Sequence, residues 1–276
     1  MPLALLPRDD DALLVRTGID PLPPASEGLF RNGGWLRRIH SESALIFGGG
    51  RALLLEVAHP LVAAGVAEHS SFRTDPLGRL QRTLQAMHAI AFGDRAAALA
   101  AARSVERAHA RVRGMLAEDA GRYPAGTVYD GREVELVIWV WATLVDTALC
   151  AYQAFVGPLS EAACESYYAE QRAIARLLGA PPESLPQDYA AFRTWFDGCV
   201  DGDTLFVTPV AREIADAVLT PPPGLADAAQ VRLITAALLP ERLRDAFGLR
   251  FEAKQRARFD SLLRSVRSLR AERASA

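Results

Sequence analysis

Two Glu-x-x-His motifs, Glu56-Val57-Ala58-His59 and Glu106-Arg107-Ala108-His109, combine residue types and spacing that could do chemistry. On a helix, i and i+3 share a face, which is how carboxylate-rich four-helix bundles hold two metal ions. A di-iron centre would also need a glutamate from each of two other helices. Glu42, Glu68, Glu133 and Glu165 are candidates, but nothing in their spacing selects them. Pro60 directly after His59 also breaks the straight helix such a bundle needs. With sixteen glutamates and five histidines in the chain, one such match is unremarkable by chance.

A haem site asks less of the sequence, because one neutral imidazole facing an apolar pocket suffices as the proximal ligand. His109 sits late in a helical stretch whose neighbours Ala101, Ala102, Val105, Ala108 and Val112 are small or apolar, leaving room for a macrocycle. The competing reading is a partly exposed histidine with ordinary partners. Arg79 and Thr83 stand at i and i+4, with Arg82 a turn from Arg79. In a haem pocket the arginines could pair with propionates or polarise dioxygen, and Thr83 could supply a hydroxyl hydrogen bond. Without a haem, Arg79 could hold Asp75 or Glu68, and Thr83 could bond back to its own helix.

The elements that must position these residues read as helices. Ser41-Glu42 before an apolar run suggests a start, and Gly48-Gly49-Gly50 is expected to stop or bend the chain. A short buried helix follows over Arg51 to Ala58, Pro60 marks a break, and Leu61 to Glu68 forms the next. Asp75-Pro76 opens a helix over Leu77 to Phe92, and Asp94 caps a long one reaching about Arg113, with Gly114 ending it. Glu133 to Phe155, carrying Trp139 and Trp141, is too long and apolar for a strand and reads as the central buried helix. Further helices are expected at Ser160 to Leu178, Gln187 to Gly198, Thr204 to Val218, Gln230 to Leu238, Pro240 to Phe247 and Glu252 to Glu272. No stretch shows the period-2 alternation of a strand. The expectation is all-α: a single globular helical domain over residues 27–276, with residues 1–26 an N-terminal extension that packs late or not at all.

Several functions are excluded or disfavoured. A formal charge of -2 and a pI near 6.2 argue against a nucleic-acid partner. Lys254 is the only lysine, so no Schiff-base lysine lies in the histidine-rich stretch. The three glycines lack GxxxxGK[ST] and a preceding strand, so close helix packing explains them better than a phosphate loop. Cys150, Cys164 and Cys199 match no zinc or redox spacing, and no G-x-S-x-G elbow occurs. The most apolar windows, Ala52 to Ala67 and Leu136 to Ala151, contain charged residues and fall short of the roughly 20 apolar residues of a span. No stable membrane insertion is expected. With no basic run ahead of a long apolar one at the N-terminus, a cytoplasmic address is expected.

Taken together, the motifs resemble a known family. They are Gly49 to Val66 with its Ala58-His59-Pro60, His69-Ser70, Asp75 to Thr83, Phe92-Gly93, and Val105 to His109 followed by Val112 and Gly114. Trp139, Trp141, Thr143 and Asp146, then Tyr167-Tyr168 with Glu170, and Leu178 to Pro181 continue the pattern. Over about residues 30 to 250 the chain is similar to the MpaB and rubber-oxygenase catalytic-domain family. The resemblance implies an all-α fold binding haem b, with dioxygen as co-substrate, and, as in latex clearing proteins, cleavage of alkene bonds in a hydrophobic small molecule such as an isoprenoid. It implies His109 as the iron ligand and Arg79 and Thr83 on the distal side. Glu56, His59 or His69 would handle protons or hold the pocket by hydrogen bonds. Arg82 departs from the family by standing where some latex clearing proteins have a distal lysine, and a protonated arginine is a poor iron ligand. A di-iron oxidase and a non-catalytic haem-binding sensor or carrier are the alternative readings.

Overall fold

The computed structural model describes residues 2–70, 76–222, 224 and 226–275, without the side chains of 76–80, 271 and 273–275. In chain order the helices are α1 (Asp10–Thr17), α2 (Trp35–His40), a 3-10 segment at Ser43–Gly48, α3 (Gly49–Val57), α4 (Pro60–His69), α5 (Pro76–Phe92) and α6 (Arg95–His109). A two-stranded hairpin, β1 (Arg113–Met115) and β2 (Val128–Asp130), precedes α7 (Val134–Phe155) and α8 (Glu161–Leu177). Then come α9 (Tyr189–Asp201), α10 (Pro209–Leu219), α11 (Ala228–Leu238), α12 (Glu241–Ala246) and α13 (Ala253–Ser275). The fold is a mostly α single domain, as expected.

The core is built round α7. It is apolar on every face, so it is stable only when surrounded, and α2, α3, α8, α13 and the 3-10 segment pack against it. Its two indoles are buried and their N–H groups are satisfied across the packing: Trp139 Nε1 donates to the Leu55 carbonyl of α3 and Trp141 Nε1 to the Gln171 carbonyl of α8. Trp139 also stacks on Phe196 of α9, with ring centroids 5.5 Å apart. By length and apolarity alone α7 would suit a bilayer, but 72% of its most apolar window is buried against the protein.

Local signals in the sequence hold where they concern caps. Asp94 accepts from Ala97 N at 2.8 Å and opens α6, and Ser160 accepts from Ala163 N to open α8. Pro60 sits at the first position of α4, and the chain turns by 106° between the segment ending at Val57 and α4. Asp75, expected to open α5, lies outside the described residues.

Three expectations are corrected. The N-terminal residues are an integral part of the body: Leu3 N donates to the Arg132 carbonyl, Leu13 and Leu14 are buried, and α1 packs on α8, where Arg16 reaches the Gly179 carbonyl. Helix α1 buries Leu13 and Leu14, and behind it Leu22 also packs against the core. Helix α6 ends at His109 instead of about Arg113, because Val112 N bonds back to the His109 carbonyl and the chain enters the hairpin. Gly114 belongs to β1, where an added Cβ would lie 2.4 Å from Tyr129 Oη. The third correction is the glycine run, which neither stops nor bends the chain through positive φ: Gly49 and Gly50 are the first turn of α3.

The glycines instead admit neighbouring helices. A Cβ on Gly48 would lie 2.6 Å from Thr147 Cγ2, and one on Gly50 would lie 2.2 Å from Thr235 Oγ1. Thr147 cannot swing aside freely, since its Oγ1 accepts from Arg51 Nη1 at 2.7 Å. Gly48→Ala is therefore expected to destabilise the protein by about 1–3 kcal/mol, read as a lowered urea midpoint with unchanged far-UV circular dichroism.

Candidate functional site

A cavity of about 570 Å³ lies between the 3-10 segment, α3, α5 and α7, within the size range of small-molecule sites. Its wall is mostly apolar, with Leu53, Met87, Phe92, Leu144 and Val218 contributed by four helices. Ile46 and Leu84 also line it and are 52% and 46% exposed, so the cavity opens to solvent over an apolar rim. Its polar groups are His40, Glu42, Glu56, Thr83, Gln85, His88 and Thr147. Water entering such a space finds few partners, so an apolar ligand displaces it favourably.

Each polar group is set by its element. Glu56 is buried on the inner face of α3. Glu42 pairs through both carboxylate oxygens with Arg270 of α13, which neutralises its charge at the cavity edge. Thr83 and His88 stand one and a half turns apart on α5, and the His88 ring packs on Phe92 with centroids 4.8 Å apart. His40, the last residue of α2, has its Nε2 3.1 Å from Tyr167 Oη, and burial pushes its pKa down to about 4. Behind the wall, Thr147 is tied to Arg51, whose guanidinium pairs with Asp146; Arg193 pairs with the other oxygen of that carboxylate.

The two Glu-x-x-His motifs do not build a common site. His59 is the N-cap of α4 and not part of α3, so the i, i+3 rule fails where the helix breaks. Its Nδ1 accepts from Leu61 N, leaving the proton on Nε2, which donates to Tyr123 Oη at 3.1 Å. His59 lines a second cavity of about 440 Å³ with Arg122, Trp139, Trp195 and Cys199, while Glu56 faces the first. Burial, with Arg122 adding to it, pushes His59 down to about 4. Glu106 accepts from Leu6 N of the N-terminal segment. Glu68 accepts from Tyr129 Oη at 2.5 Å and Glu165 from Tyr189 N at 2.8 Å. Among the described residues, no three His, Cys, Asp or Glu side chains gather in a metal-binding group.

The remaining sequence candidates scatter more widely. His69 is exposed, its Nε2 2.9 Å from the Arg113 carbonyl oxygen at the hairpin. Arg82 is exposed on α5, and the side chain of Arg79 lies outside the described residues. His109 ends α6 half-buried, and burial lowers its pKa, so its imidazole is neutral. No described residue hydrogen-bonds to its ring. His40 was missed by the motif reading because no local pattern marks it; its partners Tyr167 and Gln171 come from α8, 127 and 131 residues along the chain.

A mostly helical domain with an apolar cavity, edged by histidines and one buried glutamate, has the form of a small-molecule site. Residues 36–268 match the model of the family described as ER-bound oxygenase mpaB/B'/Rubber oxygenase, catalytic domain, and the chain belongs to that family. It is thus an oxygenase-type catalytic domain, which makes it an enzyme by family. No curated protein and no solved structure matches the chain.

The residues present can be tested against the haem that the resemblance implies. The donor chemistry fits at His109, whose ring bonds to no described residue and which burial keeps neutral. The histidines on the cavity wall itself are His40 and His88; His109 stands on α6, the helix packed against α5.

Proposed function

We propose that this chain is a haem-b-dependent oxygenase that uses dioxygen on a hydrophobic, alkene-bearing small molecule, with isoprenoids as candidate substrates. The observation that carries the reading is the apolar cavity of about 570 Å³ lined by both Thr83 of the family motif and the buried Glu56. In this reading His109 holds the iron. Bound haem supplies the centre at which dioxygen is activated. Thr83, with Arg79 beside it on α5, hydrogen-bonds and orients the oxygen side. The apolar wall of Leu53, Met87 and Leu144 excludes water and aligns the substrate chain. Glu56 holds or moves a proton at its carboxylate. Cleavage of one carbon–carbon double bond by one dioxygen yields two carbonyl groups, so atoms and electrons balance without an external reductant.

Purified protein loaded with haem should show a Soret band and consume oxygen only when an alkene is present. A band without alkene-dependent uptake would make the chain a carrier or sensor. No band, with about two irons per chain, would support the di-iron reading instead.

A further inference from the structure

The environment of His40 fixes the position of its proton. Gln171 Nε2 donates to Tyr167 Oη at 2.7 Å, and Tyr167 Oη lies 3.1 Å from His40 Nε2. The Tyr167 and His40 rings are stacked at 5.9 Å. Tyr167 is fully buried, and burial holds its phenol well above the ordinary value, so it keeps its proton. A phenol that accepts from Gln171 and keeps its proton donates it to the neighbouring imidazole nitrogen. His40 Nε2 is thereby the acceptor, and the neutral ring carries its hydrogen on Nδ1.

That N–H is one of few donors on a mostly apolar wall, beside the Gln85 amide and the His88 imidazole. No described residue accepts from it. A donor that meets no protein acceptor is free to bond a ligand oxygen placed against it. Among the described residues no lysine or arginine lines the cavity, so an anionic ligand would find no cation there.

We propose that His40 is a specificity-determining residue of this cavity, its Nδ1–H binding the oxygen of a neutral apolar-chain ligand that carries a hydroxyl or carbonyl group. The inference rests on reading this cavity as the substrate site. Tyr167 and Gln171 act as positioning residues that hold the imidazole in the donating tautomer.

The test measures binding of 1-decanol, 1-decene and decanoate to the haem-loaded protein by titration calorimetry. Wild type should prefer 1-decanol. His40→Phe, which keeps the ring volume, should weaken 1-decanol about 5–10-fold and leave 1-decene within about twofold, as loss of one hydrogen bond predicts. Tyr167→Phe should act in the same sense but less, and ¹⁵N NMR of the wild type should show a hydrogen on His40 Nδ1. Equal loss for 1-decanol and 1-decene, decanoate binding as tight as 1-decanol, or a hydrogen on Nε2 would each overturn the inference. Preference for 1-decanol that depends on His40 in a protein without oxygen uptake would keep it while removing the oxygenase reading. A wild type that takes up neither neutral compound would overturn both.

Discussion

His109→Ala is expected to weaken haem binding by about 100-fold or more and to abolish or shift the Soret band, while the fold survives. Loss of groups that merely orient a metal ligand already lowers affinity by about 10–100-fold, so loss of the ligand itself should exceed that. The fold should tolerate the change because His109 is half-buried at the last turn of α6 and no described residue hydrogen-bonds to its ring. Unfolding by urea should therefore shift little, by about 0.5 kcal/mol or less. His88→Ala is the matched control, since His88 lines the cavity and packs on Phe92 yet matches no family motif. It should retain the band with at most a modest loss of affinity. A band lost in His88→Ala and kept in His109→Ala would move the iron ligand to the cavity wall and overturn the assignment.

That contrast shows where the sequence was informative and where it was not. Helix caps and breaks are local: Asp94 and Ser160 bond three residues ahead, and Pro60 acts on its immediate neighbours, so each was legible. The all-round apolarity of α7 was equally legible, because only a surrounded helix can carry it. The hairpin was not, since strands of three residues are too short to show a period. The pairing of Glu56 with His59 failed for a different reason: the spacing rule presumes a continuous helix, and the 106° turn at Pro60 sends the two side chains to different cavities. His40 was beyond reach altogether, because its role depends on α8 folding back across more than a hundred residues. Asp146 lay between these cases. A carboxylate in the middle of the most apolar helix signals a buried partner, but the sequence does not say which arginine supplies it.

Asp146→Ala is expected to destabilise the protein by about 3–5 kcal/mol, the range for removing one partner of a buried ion pair. The side chains of Arg51 and Asp146 are only 5% and 6% exposed, so the guanidinium left behind cannot reach bulk water. It cannot withdraw either, because Arg51 Nε donates to the Leu238 carbonyl at the end of α11 and Nη1 donates to Thr147. Arg193, the second partner of Asp146, is 35% exposed and also pairs with Asp197, so it can turn to solvent at little cost. The penalty therefore falls on Arg51. Thr147 lines the cavity, so a displaced Arg51 should also loosen the wall and weaken uptake of an apolar ligand. Replacing both partners by apolar residues, Arg51→Met with Asp146→Leu, removes the stranded charge and should recover most of the lost stability. Chemical denaturation of the two variants decides the matter. A loss below about 1 kcal/mol for Asp146→Ala would mean that Arg51 finds water or another partner, and a double variant no more stable than the single one would show that the geometry of the pair, and not the stranded charge, holds α3 against α7.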